Sequence, residues 1–417
     1  MVNKFFVEGY GCSMNLAETE QIMGFLKKEN FKLVKEPEKA DFIIINTCAV
    51  KDQTENRMIN RIKKLFTISK KKKSKLIVFG CLPKVNAERI TQISEDIIQM
   101  GPNLEELTHF LKKEKEKFSP KIKEIRYNKY ITIIPIAKGC LGNCTFCCTK
   151  FARGQLESYS KNEIVKKFKS SLKETKEIWL TAQDTGCYGM DIDEALPSLV
   201  KELLREKGNF RIRIGMMDPK YLLRFYKEYI SLFNDKRLYR FFHIPVQSGS
   251  DKILKLMNRT YKAEDFEKLI KKIKKDLPDA TIATDAIVGF PEETDADFQK
   301  TVSFIKKTKP SVVNISRYGA RKGTKAAEMN PQIHGRTKKE RSKILSELCR
   351  DISENNSKAF KNKEYEIYVT EKGSKGNFVG RTIDYKAAVI KENKLGQFVK
   401  VKVISTHANY LLCETIN

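Results

Sequence analysis

The sequence lacks any long apolar run. Its longest, FIII at 42–45 and ITIIPIA at 131–137, have the length of a β-strand and fall far short of a membrane span. The opening MVNKFFVEGYGC also contains too short an apolar run for a secretory signal peptide. We therefore expect a cytosolic protein that makes no contact with a membrane.

Negative charge is also scarce. The chain carries 52 Asp and Glu against 80 Lys and Arg, which leaves a formal net charge of +28. A surplus of this size favours binding to a polyanion, with nucleic acid as the first candidate. The alternative is the lysine-rich surface of a protein from a heat-loving organism, but there acidic residues would be raised as well. With 41% hydrophobic residues, the 417-residue chain is expected to fold into two or three domains.

Cysteine is infrequent but strongly clustered. Only ten cysteines occur in the chain, and four of them fall within AKGCLGNCTFCCTKFARG at 137–154. Disulfides are rare in the cytosol, so clustered cysteines there indicate metal ligands or catalytic groups.

Residues 1–110 predict a doubly wound parallel sheet. Three apolar strands, KFFVEGY, ADFIIINT and KLIVFG, alternate with segments of helical periodicity. Each strand ends in a cysteine, namely Cys12, Cys48 and Cys81. A single buried cysteine is usually an inert core residue. Ligands of parallel sheets bind beyond the carboxyl ends of the strands, so three cysteines at matching positions predict one shared site.

The rest of the chain predicts two more domains. Residues 111–130 are charged, contain Pro120 and are expected to form a linker. Six strand-and-helix units follow within 131–355 and predict a partial (β/α)6 barrel of the TIM type, with its chemistry at the carboxyl ends of the strands. Residues 356–417 are rich in β-formers and glycine, which favours a small antiparallel β-barrel of the kind that often binds nucleic acid.

The cysteine cluster has a spacing that fits iron and sulfur better than zinc. Zinc knuckles use two C-x2-C pairs, whereas Cys140, Cys144 and Cys147 form a C-x3-C-x2-C run. A [4Fe–4S] cluster usually takes four thiolates, so three leave one iron open for a substrate or cofactor. Cys148 directly follows Cys147 and is expected to point elsewhere. A structural zinc held by all four thiols is the alternative.

This motif resembles the radical S-adenosylmethionine (SAM) enzymes. The segments GYGCSMNLAETE, NTCAVKDQTE, FGCLPK, HIPVQSGSDKIL, MNRTY and ATDAIVGFPEET resemble, in order, those of the methylthiotransferase family. The terminal barrel is similar to the RNA-binding TRAM domain of that family. The resemblance spans nearly the whole chain.

The resemblance implies two [4Fe–4S] clusters, each with one open iron. Cys140, Cys144 and Cys147 would hold the cluster that cleaves SAM to a 5′-deoxyadenosyl radical, which removes hydrogen from an aromatic C–H. A second cluster, which carries the sulfur, would be held by Cys12, Cys48 and Cys81. SAM would serve as radical source and as methyl donor.

Four further residues are expected near the cofactor. Gln183 and Asp184 end the second barrel strand, where radical SAM enzymes hold the methionine amino group, although such residues often only cap a helix. Gln247 is expected near the ribose or the substrate. Arg153 follows the cluster loop and would meet a phosphate or the SAM carboxylate, or lie on the surface. His243 is either an interior histidine or part of the site.

The form QDTG-x-YG at 183–189, together with FARGQLESY, resembles the archaeal and eukaryotic branch that modifies N6-threonylcarbamoyladenosine beside the anticodon of tRNA. The family's other branches act on isopentenyl-adenosine in tRNA or on a ribosomal-protein aspartate.

A protein of a different functional class, an iron–sulfur RNA-binding protein that senses redox state, is the alternative to an enzyme. We expect a tRNA substrate, an electron-donor protein and an unidentified sulfur source. The chain departs from the family's usual residues at four positions that we expect to touch no proposed ligand, namely Cys148, Cys187, Asp218 and Glu293.

Overall fold

A computed structural model describes residues 3–50, 52–112 and 125–416. The central part of the predicted linker, 113–124 with Pro120, lies outside these residues. Within the described ranges, no helix is both long enough and apolar enough to cross a membrane.

The N-terminal unit is a five-stranded parallel sheet with helices on both faces, as predicted. The central strand β3 (Phe42–Thr47) is buried on both sides, because Ile43 and Ile45 face one helical layer while Ile44 faces the other. The two outer strands β2 and β5 are too short to show a sequence period. The elements are β1 (Lys4–Gly9), α1 (Ser13–Lys28), β2 (Lys32–Leu33), β3 (Phe42–Thr47), α2 (Asp52–Lys72), β4 (Lys75–Gly80), α3 (Cys81–Val85), α4 (Ala87–Thr91), β5 (Ile98–Met100) and α5 (Leu104–Lys112).

The strand order β2-β1-β3-β4-β5 reverses between β1 and β3. The chain leaves β1 toward one side of the sheet and leaves β3 toward the other, which opens a crevice at their carboxyl ends. The cysteines that follow β1, β3 and β4 therefore lie at the position where such sheets bind ligands.

The middle unit is the predicted six-stranded partial barrel. Two parallel three-stranded sheets, β6-β9-β10 and β11-β12-β13, are joined by a parallel bridge between Ile212 and Leu238. The elements are β6 (Ile131–Pro135), β7 (Ala137–Lys138), α6 (Thr149–Arg153), β8 (Glu157–Ser158), α7 (Lys161–Leu172), β9 (Glu177–Thr181), α8 (Leu196–Leu203), β10 (Arg211–Ile214), α9 (Pro219–Ser231), β11 (Phe241–His243), α10 (Asp251–Leu256), α11 (Ala263–Asp276), β12 (Thr281–Val288), α12 (Asp295–Thr308), β13 (Val312–Arg317), α13 (Lys325–Glu328) and α14 (Gly335–Lys358).

Alternation along the strands separates an outer face from an inner one. Ile178, Leu180, Ile212 and Ile214 pack outward in the main hydrophobic core under the helices. Their neighbours on the same strands, such as Trp179 and Arg213, therefore point into the barrel. The barrel does not close between β6 and β13, and residues Leu16 and Ala17 of α1 pack against the β6 side of that gap.

The C-terminal unit is a closed five-stranded barrel in the order β14-β15-β16-β18-β17. Neighbours are antiparallel except β16 and β18, which are parallel. An odd number of strands cannot alternate in direction around a closed ring, so one parallel pair is unavoidable. The strands are β14 (Glu364–Lys372), β15 (Phe378–Arg381), β16 (Ala387–Ile390), β17 (Phe398–Thr406) and β18 (Leu411–Ile416).

This small barrel packs at the amino ends of the large barrel's strands, away from the cysteines. Arg211, the first residue of β10, pairs with Glu366 of β14 at 2.6 Å. The Arg240 amide donates to the Ile383 carbonyl at 2.8 Å. The predicted boundary at 355/356 falls inside the last turn of α14, which runs on to Lys358.

Candidate cluster sites and barrel lumen

The first candidate site is formed by three cysteines at the carboxyl edge of the N-terminal sheet. Cys12 precedes α1, Cys48 follows β3 and Cys81 opens α3 after β4. Gly11 has a φ of +116°, and a Cβ on it would lie 2.6 Å from the Cys48 Cβ and 3.2 Å from its Sγ. Glycine thus lets the Cys12 loop approach Cys48 more closely than any other residue could.

A buried amide network holds these loops together. The Cys12 Sγ donates to the Asn15 Oδ1 at 3.2 Å, and the Asn15 Nδ2 donates to the Thr47 carbonyl at 2.9 Å. The Asn46 Nδ2 donates back to the Asn15 carbonyl at 2.9 Å. Asn15 and Asn46 are fully buried, so each of these bonds satisfies a group that would otherwise be costly to bury. Sequence reasoning missed both residues, although each lies within three positions of a candidate cysteine.

Arg153 belongs to this N-terminal site and not to the SAM side of the barrel. Its Nη1 contacts the Glu18 Oε1, its Nη2 donates to the Glu18 Oε2 at 2.9 Å, and the same Nη2 donates to the Asn15 Oδ1 at 3.2 Å. The side chain is only 3% exposed. The structure corrects both expectations for Arg153, because its guanidinium neither lies on the surface nor is free to receive a phosphate or carboxylate.

Burial works against ionisation of the N-terminal thiols. It raises the pKa of Cys48, and it raises the pKa of Cys81 to about 11. The guanidinium of Arg153 opposes this rise at both cysteines and hydrogen bonds to Cys81. Thiols of this kind become thiolates when a metal displaces the proton, and a fixed cation nearby lowers the cost of that charge.

The second candidate site is the loop between β7 and α6, which carries Cys140, Cys144 and Cys147. The Gly142 amide donates to the Cys140 Sγ at 3.1 Å. A Cβ on Gly142 would lie 3.2 Å from the Cys140 Sγ and 3.9 Å from the Cys144 Sγ. Because Gly142 has no side chain, the sulfurs of Cys140 and Cys144 both lie close to its backbone. A loop that binds a cluster needs its sulfurs held close together in this way.

Arg259, in the MNRTY segment, is a cation of this second site. Its Nη1 donates to the Cys144 Sγ at 3.1 Å, and its Nη2 pairs with the Asp218 carboxylate at 2.9 Å. Burial raises the pKa of Cys144, and Arg259 opposes that rise. Sequence reasoning quoted the motif but gave this arginine no role.

Cys187 lies beside the second site. Its thiol donates to the Asp184 carbonyl at 3.2 Å. It is also near enough to Cys140 to lower the pKa of that cysteine. This position follows from the 3-10 turn of Thr185–Cys187, which folds back toward the cluster loop. The expectation that Cys187 touches no proposed ligand stays a prediction.

Cys148 lies between the two sites. Its thiol is buried and points to the Ala49 carbonyl, at 3.7 Å, next to Cys48. Cys147 and Cys81 are both close enough to influence its pKa, which burial raises to about 12. The direction of the Cys148 side chain, toward the N-terminal unit, matches its predicted divergence from Cys147.

The two sites share one interface. Helix α3, which begins at Cys81, packs against α6, which follows Cys148. A second buried ion pair, Arg321 with Glu55 of α2, crosses the same interface. Among the described residues, no three His, Cys, Asp or Glu side chains converge tightly enough for a single metal ion.

The predicted cofactor residues line the top of the barrel. Asp184 is almost fully buried, accepts from the amides of Gly186 at 2.9 Å and Asp218 at 3.1 Å, and caps the 3-10 turn. Burial raises the pKa of Asp184 to about 7. The Gln183 Oε1 is buried and has no hydrogen-bond partner in the described part of the chain, so this amide has an acceptor available for a cofactor group. Gln247 has a left-handed backbone, with φ at 73°, a conformation that often marks functional sites.

Below them, a polar network faces the lumen. The His243 Nε2 lies 3.0 Å from the Asp285 Oδ2, and the Asn314 Nδ2 donates to the Asp285 Oδ1 at 2.8 Å. His243 is thus hydrogen bonded, and its side chain is 19% exposed to the lumen. A role of His243 in the site stays a prediction.

Three family models match the chain. The Uncharacterized protein family UPF0004 matches residues 4–100, the Radical SAM superfamily matches 134–305 and the TRAM domain matches 358–416. Each match falls on one of the three structural units, although the Radical SAM match ends before β13 and α14.

Curated relatives match over nearly the full length. The probable threonylcarbamoyladenosine tRNA methylthiotransferase of Pyrococcus horikoshii is 38% identical, with 99% of each chain covered. That of Archaeoglobus fulgidus is 39% identical, with 97% of each covered. The human threonylcarbamoyladenosine tRNA methylthiotransferase is 33% identical over 98% of this chain and 73% of its own.

Solved structures share the fold. The radical SAM methyltransferase TsrM from Kitasatospora setae has a TM-score of 0.58 at 13% identity, over 78% of this chain and 77% of its own. The cobalamin-dependent radical SAM enzyme OxsB has a TM-score of 0.52 at 11% identity, over 84% of this chain and 55% of its own. At these identities the likeness concerns the fold alone.

Proposed function

The chain belongs to the threonylcarbamoyladenosine tRNA methylthiotransferase family, and we propose that it converts N6-threonylcarbamoyladenosine at position 37 of tRNA, beside the anticodon, to its 2-methylthio derivative. The observation that carries this proposal is the pair of three-cysteine sites that share one interface above the barrel. A single-cluster enzyme would have no use for the second site. Near full-length similarity to relatives with this activity supports the substrate.

Cys140, Cys144 and Cys147 would hold the cluster that binds SAM. The Gly142 amide and the Arg259 guanidinium already donate to two of these sulfurs, so they would stabilise them as thiolates. Asp218 in turn fixes Arg259. The unpaired Gln183 Oε1 is suited to accept from an ammonium, which supports its role toward the SAM amino group.

Asp184 and Gln247 have different tasks in this proposal. The Asp184 Oδ1 accepts from both backbone amides and so would shape the SAM-binding turn, while the Oδ2 would accept from the SAM amino group. Gln247 would hold the ribose or substrate, since its strained backbone turns the chain at the rim of the lumen.

Cys12, Cys48 and Cys81 would hold the second cluster, which gives two [4Fe–4S] clusters per chain. Arg153 would neutralise part of the negative charge on these sulfurs, and Asn15 would keep the Cys12 loop in place. When bound, the two clusters and SAM supply the radical, the sulfur and the methyl group. The protein's residues hold these groups on one interface and exclude water from it.

RNA binding is supported by the TRAM-like barrel and the net charge of +28. An electron-donor protein would reduce the radical cluster, and the sulfur source remains to be identified. A tRNA substrate supports the expected location in the cytoplasm. The second candidate functions are modification of isopentenyl-adenosine or of a ribosomal-protein aspartate, and redox sensing on RNA without turnover.

The decisive experiment is mass spectrometry of nucleosides from tRNA incubated anaerobically with the reconstituted protein, SAM and dithionite. We expect 2-methylthio-N6-threonylcarbamoyladenosine together with 5′-deoxyadenosine. Methylthiolation of isopentenyl-adenosine alone would assign the protein to the branch of the family that modifies that nucleoside. An absence of 5′-deoxyadenosine under all conditions would refute the enzyme and favour the sensor.

A further inference from the structure

Arg213 is a cation enclosed by aromatic rings inside the barrel. It projects inward from β10, and its guanidinium carbon lies 5.0 Å from the ring centroids of Trp179 and Phe241. A third ring, Tyr385 of the C-terminal barrel, lies 5.4 Å away. The cage is itself fixed, because the Trp179 Nε1 donates to the buried Glu177 at 2.7 Å. The rings hold the guanidinium in place but accept none of its in-plane hydrogen bonds.

Arg213 differs from the other inward or buried arginines in having no carboxylate partner among the described residues. Among the described residues its buried Nε has no hydrogen-bond acceptor, but Arg126, Arg211, Arg240 and Arg341 share that feature and each of them has a carboxylate partner. The buried Arg153, Arg259 and Arg321 are likewise paired, with Glu18, Asp218 and Glu55. An inward-facing guanidinium without a carboxylate is costly, and at a functional site it indicates an anionic ligand that completes it.

Polar side chains share the lumen with Arg213. Arg213 is only partly buried, and one layer above it His243, Asp285 and Asn314 form the polar network. On the unclosed side of the barrel, Asn314 and Val312 of β13 are exposed. The inner face of β13 is therefore accessible to solvent, and a polar ligand would approach from this side.

We propose that Arg213 binds the threonine carboxylate of the substrate nucleoside, which rests on the proposed function. A guanidinium presents paired N–H groups that match a carboxylate in a two-point contact. N6-threonylcarbamoyladenosine carries such an anion, whereas isopentenyl-adenosine carries none. Arg213 thus selects between the substrates of the family's two tRNA branches.

The carboxylate of SAM is a less suitable partner for Arg213. SAM would be held near Cys140, Cys144 and Cys147, where Arg259 contacts both Cys144 and Asp218. Arg213 lies within β10, five positions before Asp218, which follows the carboxyl end of that strand. Arg213 is thus set back along the strand from the residues that would hold the cofactor, and we assign it to the substrate.

The test compares two substrates on the full-length, reconstituted enzyme. One is an anticodon stem-loop RNA with N6-threonylcarbamoyladenosine, and the other is the same RNA with the threonine carboxylate converted to its methyl ester. We expect kcat/KM for methylthiolation to fall about 10- to 100-fold on the ester. With Arg213→Met this ratio should fall to near one, and Arg213→Lys should restore part of it.

Two controls distinguish binding of the substrate carboxylate from a general effect of charge and from a role toward SAM. Arg350→Met removes the same charge from an exposed position on α14 and should leave the substrate ratio unchanged. Formation of 5′-deoxyadenosine without RNA should saturate at the same SAM concentration in Arg213→Met as in the wild type. A raised SAM requirement would assign Arg213 to the cofactor and overturn the proposal.

Equal rates of the wild-type enzyme on acid and ester would also overturn it, and this comparison holds even if Arg213→Met fails to fold. Persistence of the preference in a folded Arg213→Met enzyme with its full iron content would overturn it as well. If the wild type methylthiolates neither RNA, the proposed function fails and not merely the role of Arg213.

Discussion

Replacing Arg153 by Met is expected to damage the N-terminal cluster site although Arg153 follows the other cluster's loop. The substitution leaves the Glu18 carboxylate, 8% exposed, without its cation and beside three cysteines. Removing one partner of a buried ion pair costs about 3–5 kcal/mol, because the remaining charge stays desolvated. We expect a loss of this size in the free energy of unfolding.

Substitution of Glu18 should lower the free energy of unfolding less than substitution of Arg153. Glu18→Gln leaves the Arg153 cation near Cys81 and in contact with Asn15, where sulfur-bound negative charge compensates it. We therefore expect Glu18→Gln to cost only about 1–3 kcal/mol. The double variant should recover part of the loss caused by Arg153→Met, since no unpaired carboxylate remains.

Urea unfolding followed by circular dichroism measures these costs. Iron content is measured in a chain whose Cys140, Cys144 and Cys147 are alanine, so that only the N-terminal site contributes. Roughly four irons per chain should remain with Glu18→Gln and be largely lost with Arg153→Met. Arg350→Met serves as the matched control. Normal stability and full N-terminal iron in Arg153→Met would refute the assignment of this arginine to that site.

Three further outcomes are expected. Cys140→Ala should abolish SAM cleavage, whereas Cys48→Ala should spare some uncoupled cleavage and stop methylthiolation; modified tRNA from Cys48→Ala would contradict the division of labour between the sites. Cys349 of α14 packs against the main hydrophobic core, away from both cysteine sites. Cys148→Ala and Cys349→Ala should therefore keep the iron of both clusters at a cost of about 1 kcal/mol in stability, as measured by iron analysis and thermal unfolding. Binding of tRNA should weaken about a hundredfold between 50 and 200 mM salt if about four phosphates are contacted, and a flat response in a filter-binding assay would exclude the polyanion explanation of the net charge.

Much of the fold is predictable from local runs of apolar residues that mark the strands. The FIII run predicts a strand buried on both faces, and its isoleucines do divide between two helical layers. Short elements escape such reasoning: LPKVNAERITQI has one helical period but breaks at Asn86 into α3 and α4. The parallel pair β16–β18 was predictable in principle, since five strands cannot close with alternating directions.

The candidate sites were predictable where their residues carry a spacing or a position at a strand end. The cysteines meet that condition, and so do Gln183 and Gln247. Arg153 does not, because its partner Glu18 lies 135 positions earlier and only the packing of α6 on the N-terminal unit brings them together. The place of Cys187 was not predictable for a related reason: the 3-10 turn that brings it beside the cluster loop leaves no period in the sequence.

The interface between the units does more than join two domains. The proposed reaction requires both sites to reach the same adenine carbon, so their separation has to be fixed. Apolar packing alone tolerates small shifts, whereas a two-point arginine–carboxylate pair has one geometry and is costly to bury when misaligned. Arg153 makes such a pair only six residues after Cys147, and Cys148 contacts the residue next to Cys48. The loop of one cluster is thereby bonded directly to the site of the other, so a shift of either loop must break a buried polar contact.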